Sequence, residues 1–285
     1  MIAVAPVARR GLPGSIGRTL LFVVLYLAAL GTTFALLAGP LTAMVGRTGQ
    51  HIRIDEMLSL VAALLATWVM VRAVDPRPWK DVGLGTADAR PAAFAWGGAV
   101  GAAPIAVASA LLLAVGWLHI VTAPEGSSLG AAVRVTIFLV PAAMGEEVLC
   151  RGYLLTAMRD GIGVRGAVIV TSVLFGMLHI PNAGSTVESV GIVILAGIFL
   201  AAVRVAFDSL YAAWAAHTAW NWIMAVPLHA PVSGLMMEAP DYRTVSSGPE
   251  WITGGAWGPE GGLAAALGMV AMLVFLHARR RREES

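Results

Sequence analysis

The chain has 285 residues, of which 58% are hydrophobic and only 13% charged, and its mean hydropathy is +0.78. That composition excludes an ordinary soluble domain. The single cysteine, Cys150, excludes an intramolecular disulfide and any cysteine-based zinc site.

Apolar stretches close to the roughly 20 residues that cross a bilayer recur about eight times, at 19–39, 57–74, 92–118, 128–150, 165–183, 187–205, 208–227 and 262–278. The first follows Arg9, Arg10 and Arg18. It is long for the apolar segment of a signal peptide and reads as a retained helix. The 75–91 segment, with Asp75, Pro76, Arg77, Pro78 and Lys80, has turn chemistry. Gly and Pro within 92–118 can kink the third span, and the fourth is expected to continue as helix to about Met158. The longest connection, about 228–261, holds Pro231, Pro240, Pro249 and Pro259. Trp251 and Trp257 near its end are expected at headgroup level. It reads as a structured loop, with a lid as the alternative. His51, His119 and His229 fall in connections and His277 ends the last span, all expected at the surface or an interface.

With the N-terminus inside, 15 Lys and Arg residues fall on the cytoplasmic side and three (Arg47, Arg53 and Arg243) outside, while Arg134 lies within a span. The positive-inside rule therefore puts both termini in the cytoplasm. The Arg279–Arg282 tail suits anionic lipid better than nucleic acid. The expectation is an all-α polytopic membrane protein of about eight transmembrane helices. It falls into three blocks: N-terminal helices over 1–127, a core over 128–227, and an outer loop, last helix and basic tail over 228–285. One lysine among 19 basic residues suggests a high-GC bacterial genome and hence a bacterial cytoplasmic membrane.

Three polar motifs interrupt these spans: Glu146-Glu147-x-x-x-Arg151, Phe175-x-x-x-His179 and His217-x-x-x-Asn221. A carboxylate at a membrane helix centre costs roughly 2.5–3.5 kcal/mol on insertion scales, so such groups are usually retained for use. Glu147 and Arg151 are one turn apart and can pair, whereas Glu146 lies about 100° around the helix. This suggests Glu147–Arg151 as a structural strut and Glu146 as a working base facing a cavity. Taken singly, the glutamates can also be helix-end caps. Phe175 can orient the His179 imidazole, although a lone membrane histidine is more often a helix–helix hydrogen bond. His217 and Asn221 share a face and can direct donors at one point, as an oxyanion site needs. Trp214, Trp220 and Trp222 around them can line the site or simply pack. Three motifs on three successive motif-bearing spans are hard to ascribe to packing alone.

EEVLCR, FGMLH and HTAWN resemble, in order and approximate separation, the three signature motifs of the CAAX-protease and bacteriocin-processing (CPBP, or Abi) intramembrane proteases. The resemblance covers about 128–225, the family's core. It implies an endopeptidase acting on a membrane-associated peptide or protein. Glu146 and His179 would then activate water, and His217 and Asn221 would stabilise the oxyanion. The family has also been described as metalloproteases, with Glu146, His179 and His217 as candidate ligands for a divalent metal such as zinc. No spacing here fixes a ligand set, and a metal-independent glutamate mechanism is slightly preferred. Two other functions use the same residues: a non-cleaving immunity-type or scaffold protein, and a proton-coupled transporter. The latter would more often show internal repeats, and none is visible. Nothing in the sequence encodes recognition of a prenyl group. One geometric difficulty stands out. Counted from Arg165, His179 is about 21 Å into its span, whereas Glu146 lies near the inner end of its own, so a shared site needs tilting or an extended fourth helix.

Overall fold

The computed structural model describes residues 11–46, 54–123, 128–237 and 241–284. Arg9, Arg10, Arg47, His51, Arg53 and Pro240 lie outside them. The long helices are α1 (Leu12–Gly46), α2 (Ile54–Val69), α3 (Pro91–Ala114), α4 (Ser128–Glu147), α5 (Leu154–Leu178), α6 (Val187–Phe207), α7 (Leu210–Ala225) and α9 (Leu263–Glu284), with a single turn, α8 (Glu250–Thr253), before the last. Wide π-type turns extend α2 over Met70–Val74 and join α4 to α5 over Val148–Tyr153.

The expectation of about eight spans meets a different count. Among the described residues, six helices are long and apolar enough to cross a membrane, which makes this a multi-pass membrane protein. Two causes account for the difference. The runs at 128–150 and 165–183 fall within one stretch, Leu129–Leu178, broken at Gly152 (φ −82°, ψ −117°) and Gly163 (φ 76°, ψ 170°). The run at 208–227 yields only the 16 residues of α7, about 24 Å. The fold is helical as expected, with one short addition. The connection after α3 and part of the 228–261 segment pair as an antiparallel ribbon, β1 (Leu118–Thr122) with β2 (Tyr242–Ser246), because two extended strands satisfy each other's backbone groups.

The breaks at Gly152 and Gly163 resolve the depth difficulty. The positive φ of Gly163 is open to glycine without a side-chain clash. The chain doubles back between Glu146 and His179, and their Oε2 and Nε2 atoms meet at 3.9 Å.

Small residues set the position of α7. A Cβ added at Gly97 or Gly101 of α3 would stand 2.3 Å from the carbonyl oxygen of Ala212 or 2.0 Å from that of Ala216. The Gly-x-x-x-Gly face of α3 thus meets the Ala212 and Ala216 face of α7 backbone to backbone, the close packing that membrane helices use where apolar burial gives no net drive. On the far side of α7, His217 and Asn221 are left to face α4 and α5.

At the end of the bundle that holds the 75–91 connection, Arg18 of α1 bonds Asp75 at 2.6 Å and Asp160 at 3.1 Å, and Arg77 bonds Asp160 at 2.9 Å and also Asp75. Tyr153 donates to Asp75 at 2.9 Å. Two buried carboxylates are thereby matched by two guanidinium groups, tying α1, the end of α2 and α5 together. Burial works against the charge on Asp75. The hydrogen bonds from Arg18 and Tyr153 and the charges of Arg77 and Arg18 outweigh it, holding the carboxyl below the usual range.

The described residues of the 228–261 segment, 228–237 and 241–261, are structured. Trp251 is 60% exposed, but Trp257 is 2% exposed and belongs to the main apolar core, which corrects its expected place at a membrane surface. His229 is buried as well, with its ring 4.4 Å from that of Tyr242, whereas His119 and His277 are exposed.

Candidate active site

Glu146 ends α4, His179 caps α5, and His217 and Asn221 stand one turn apart on α7. All four line one cavity of ≈ 230 Å³. The Oε2 atom of Glu146 is 3.9 Å from Nε2 of His179 and 4.0 Å from Nε2 of His217. It is buried without a hydrogen-bond partner, although the Glu146 side chain as a whole is 32% exposed. A buried acceptor without a partner is costly. Gaps of this size suit an intervening water.

Both imidazoles are fixed from behind. Nδ1 of His179 is 2.8 Å from the carbonyl oxygen of Phe175, which can only accept, so Nδ1 carries the proton and Nε2 presents a lone pair. The Phe175 ring also lies 4.7 Å from the imidazole. Nδ1 of His217 is 3.0 Å from Oε1 of Glu147, and an ionised carboxylate likewise only accepts. Glu147 and Arg151 pair at 3.1 Å with both side chains fully buried. Arg151 also donates to the Gly197 carbonyl of α6 at 3.2 Å, and its guanidinium lies 4.1 Å from the Phe175 ring centre. Glu147 therefore has a second partner that i, i+4 spacing did not reveal. It holds Arg151 on one side and sets the His217 ring on the other. Cys150 is fully buried in the same wall.

Two Nε2 lone pairs and a carboxylate are chemically a zinc-type donor set, with the second nitrogens anchored as metal-binding histidines usually are. The spacing does not fit. Ligands on a tetrahedral zinc with bonds of about 2.0–2.1 Å stand roughly 3.3 Å apart, against 3.9 and 4.0 Å here. Among the described residues, no group of three His, Cys, Asp or Glu is placed to hold a metal ion.

Several cavity residues carry no motif. Tyr26 of α1 and Glu56 and Ser59 of α2 line one end, where the Tyr26 and Ser59 hydroxyls bond at 2.9 Å. Val232, Ser233, Leu235 and Met237 from the long connection cover another, and Asn182 adjoins them. No motif or spacing in the sequence marked the first group. The second sits in an irregular segment with no periodic signal.

Residues 128–223 match the family of Rce1-like type II CAAX prenyl endopeptidases, nearly the bounds of the motif resemblance. No curated protein and no solved structure matches the chain. The matched segment contains Glu146, Glu147, Arg151, Phe175, His179, His217 and Asn221. The match over residues 128–223 is consistent with the CPBP family that the three motifs resemble.

Proposed function

We propose that this protein is an intramembrane endopeptidase that hydrolyses a peptide bond of a membrane-associated peptide or protein. The observation that carries the reading is the convergence of Glu146 Oε2 with the two imidazole Nε2 atoms in a cavity within an apolar helical bundle. A water with legs of about 2.8 Å to Glu146 and His179 subtends roughly 90° across their gap. Both its hydrogens are then taken by acceptors, and its oxygen lone pairs are free to attack a carbonyl. Glu146 receives the proton as the water adds, and passes it to the departing amine as the tetrahedral intermediate collapses.

The oxyanion falls to Asn221 and His217. The Asn221 amide is a donor in any state. Because Glu147 takes Nδ1–H, His217 can donate from Nε2 only as the imidazolium, so Glu147 enters the chemistry by balancing that charge. As a neutral ring, His217 would instead be a second acceptor for the water.

The charge bias along the chain supports both termini facing the cytoplasm, and the single lysine among 19 basic residues favours a bacterial inner membrane, with lipid around the bundle. The substrate is proposed as a membrane-associated peptide or protein. Comparison of membrane-protein termini from cells expressing wild type and Glu146→Gln tests the reading. It predicts new termini that appear only with the wild type. Identical termini in both would remove proteolysis as the function.

A further inference from the structure

The last third of the chain carries none of the three motifs, yet one acidic residue there reaches the cavity wall. Glu260, in the single 3-10 turn Pro259–Gly261 before α9, accepts from three donors. The Trp220 indole N–H bonds Oε2 at 2.9 Å. The Ser233 hydroxyl bonds Oε1 at 2.9 Å, and the Ser233 backbone N–H bonds the same oxygen.

Ser233 is held in an unusual turn. Val232 and Leu235 exchange both backbone hydrogen bonds at 2.9 Å, and the two residues between them have positive φ, 49° at Ser233 and 77° at Gly234. This is the mark of a type I′ turn. A serine at positive φ is uncommon outside such constraint. The turn is pinned on three sides besides Glu260. Asn182 donates to the Ser233 carbonyl at 3.0 Å, the Gly234 N–H donates to the Trp257 carbonyl at 3.0 Å, and a Cβ at Gly234 would stand 2.0 Å from the Ala183 carbonyl oxygen. Ser233 lines the ≈ 230 Å³ cavity and, with Glu260, a side chamber of ≈ 30 Å³. His179, His217 and Asn221 border both spaces.

We infer that Glu260 is a positioning residue that clamps the Val232–Leu235 turn as a roof over the catalytic cavity and, through Trp220, fixes the stretch of α7 that carries Asn221. The inference rests on the proteolytic reading. Its physical basis is acceptor count. A carboxylate offers about four lone-pair sites and no donor, so it can take all three N–H and O–H groups. A glutamine of the same shape must turn its NH₂ toward one of those donors.

The test is Glu260→Gln in the full-length protein in detergent or nanodiscs, read two ways. Hydrogen exchange of backbone amides over 232–237 should quicken about tenfold or more, while α6 amides keep their wild-type rates. On a defined membrane-anchored peptide, kcat/KM should fall about 10–100-fold, mostly in kcat, as a misplacement on the ångström scale can produce. Ser233→Ala removes one of the three donors and keeps the backbone bond. Its smaller change in the same direction keeps the test usable should Glu260→Gln fail to fold. Unchanged exchange over 232–237 in both variants overturns the clamp. Faster exchange with an unaltered kcat overturns its positioning role. A wild type that cleaves nothing defeats the protease reading alone, and the exchange rates then still decide the clamp.

Discussion

Nδ1 of His217 stands 3.0 Å from Oε1 of Glu147, the same oxygen that lies 3.1 Å from Nη1 of Arg151. One buried carboxylate thus serves a structural partner and a cavity-lining partner at once, and the two roles separate by mutation. Arg151→Ala leaves Glu147 charged and short of its main counter-ion, a loss that typically costs about 3–5 kcal/mol when buried. A clear drop in thermal midpoint and in folded yield is expected. Glu147→Gln keeps the shape but cannot balance an imidazolium, so kcat should fall on the scale of one oxyanion donor, about 100–1000-fold. Thermal unfolding and steady-state kinetics on both variants check this. A fully active Glu147→Gln would confine Glu147 to the strut role.

Asn221 separates proteolysis from proton relay. Asn221→Ala should lower kcat about 100–1000-fold while KM barely moves, since the lost bond forms mainly in the transition state. Asn221→Asp should be at least as damaging, because it sets a negative acceptor against developing negative charge. An aspartate variant that matches wild type while alanine is inactive would remove Asn221 from the oxyanion site.

Much of this site was legible in the sequence because each motif spans one helical turn. Glu147 with Arg151 and Phe175 with His179 are contacts that i, i+4 spacing reports directly. What the spacing could not report was contact between helices. The Glu147–His217 bond joins residues 70 apart, and it depends on how closely Gly97 and Gly101 let α7 approach α3. The breaks at Gly152 and Gly163 were likewise hidden, because hydropathy marks the two apolar runs but not where the chain turns between them. Trp257 was misplaced for the opposite reason. Tryptophans near a loop end usually anchor at the membrane surface, and only the folded-back loop shows this one packed in the core.

The ion cluster around Asp75 predicts an acid limb in stability. Against burial, the hydrogen bonds from Arg18 and Tyr153 and the charges of Arg77 and Arg18 hold the folded carboxyl below its ordinary value. The group therefore contributes stability above its unfolded pKa, and that contribution is lost as pH falls through the lower folded value. The gap in thermal midpoint between wild type and Asp75→Asn should be widest near neutral pH and close toward acid. A gap that stays constant down to about pH 3 would show that Asp75 contributes no charge-dependent stability.

Metal dependence follows from the 3.9 and 4.0 Å spacings. Extensive chelation of the purified protein should leave cleavage intact, whereas His179→Ala should abolish it. Stoichiometric zinc in active protein, with loss on chelation and recovery on re-addition, would show that the three side chains close around a metal and displace the water mechanism.

The most direct measurement is cleavage of a defined membrane-anchored peptide by purified, reconstituted wild type and Glu146→Gln, with the fold of each checked by its thermal midpoint. Glutamine keeps the size of the side chain and removes the base. The account predicts a folded variant whose turnover is at background while the wild type cleaves. Wild-type turnover by folded Glu146→Gln would contradict it, since no other carboxylate faces both imidazole Nε2 atoms at about 4 Å among the described residues.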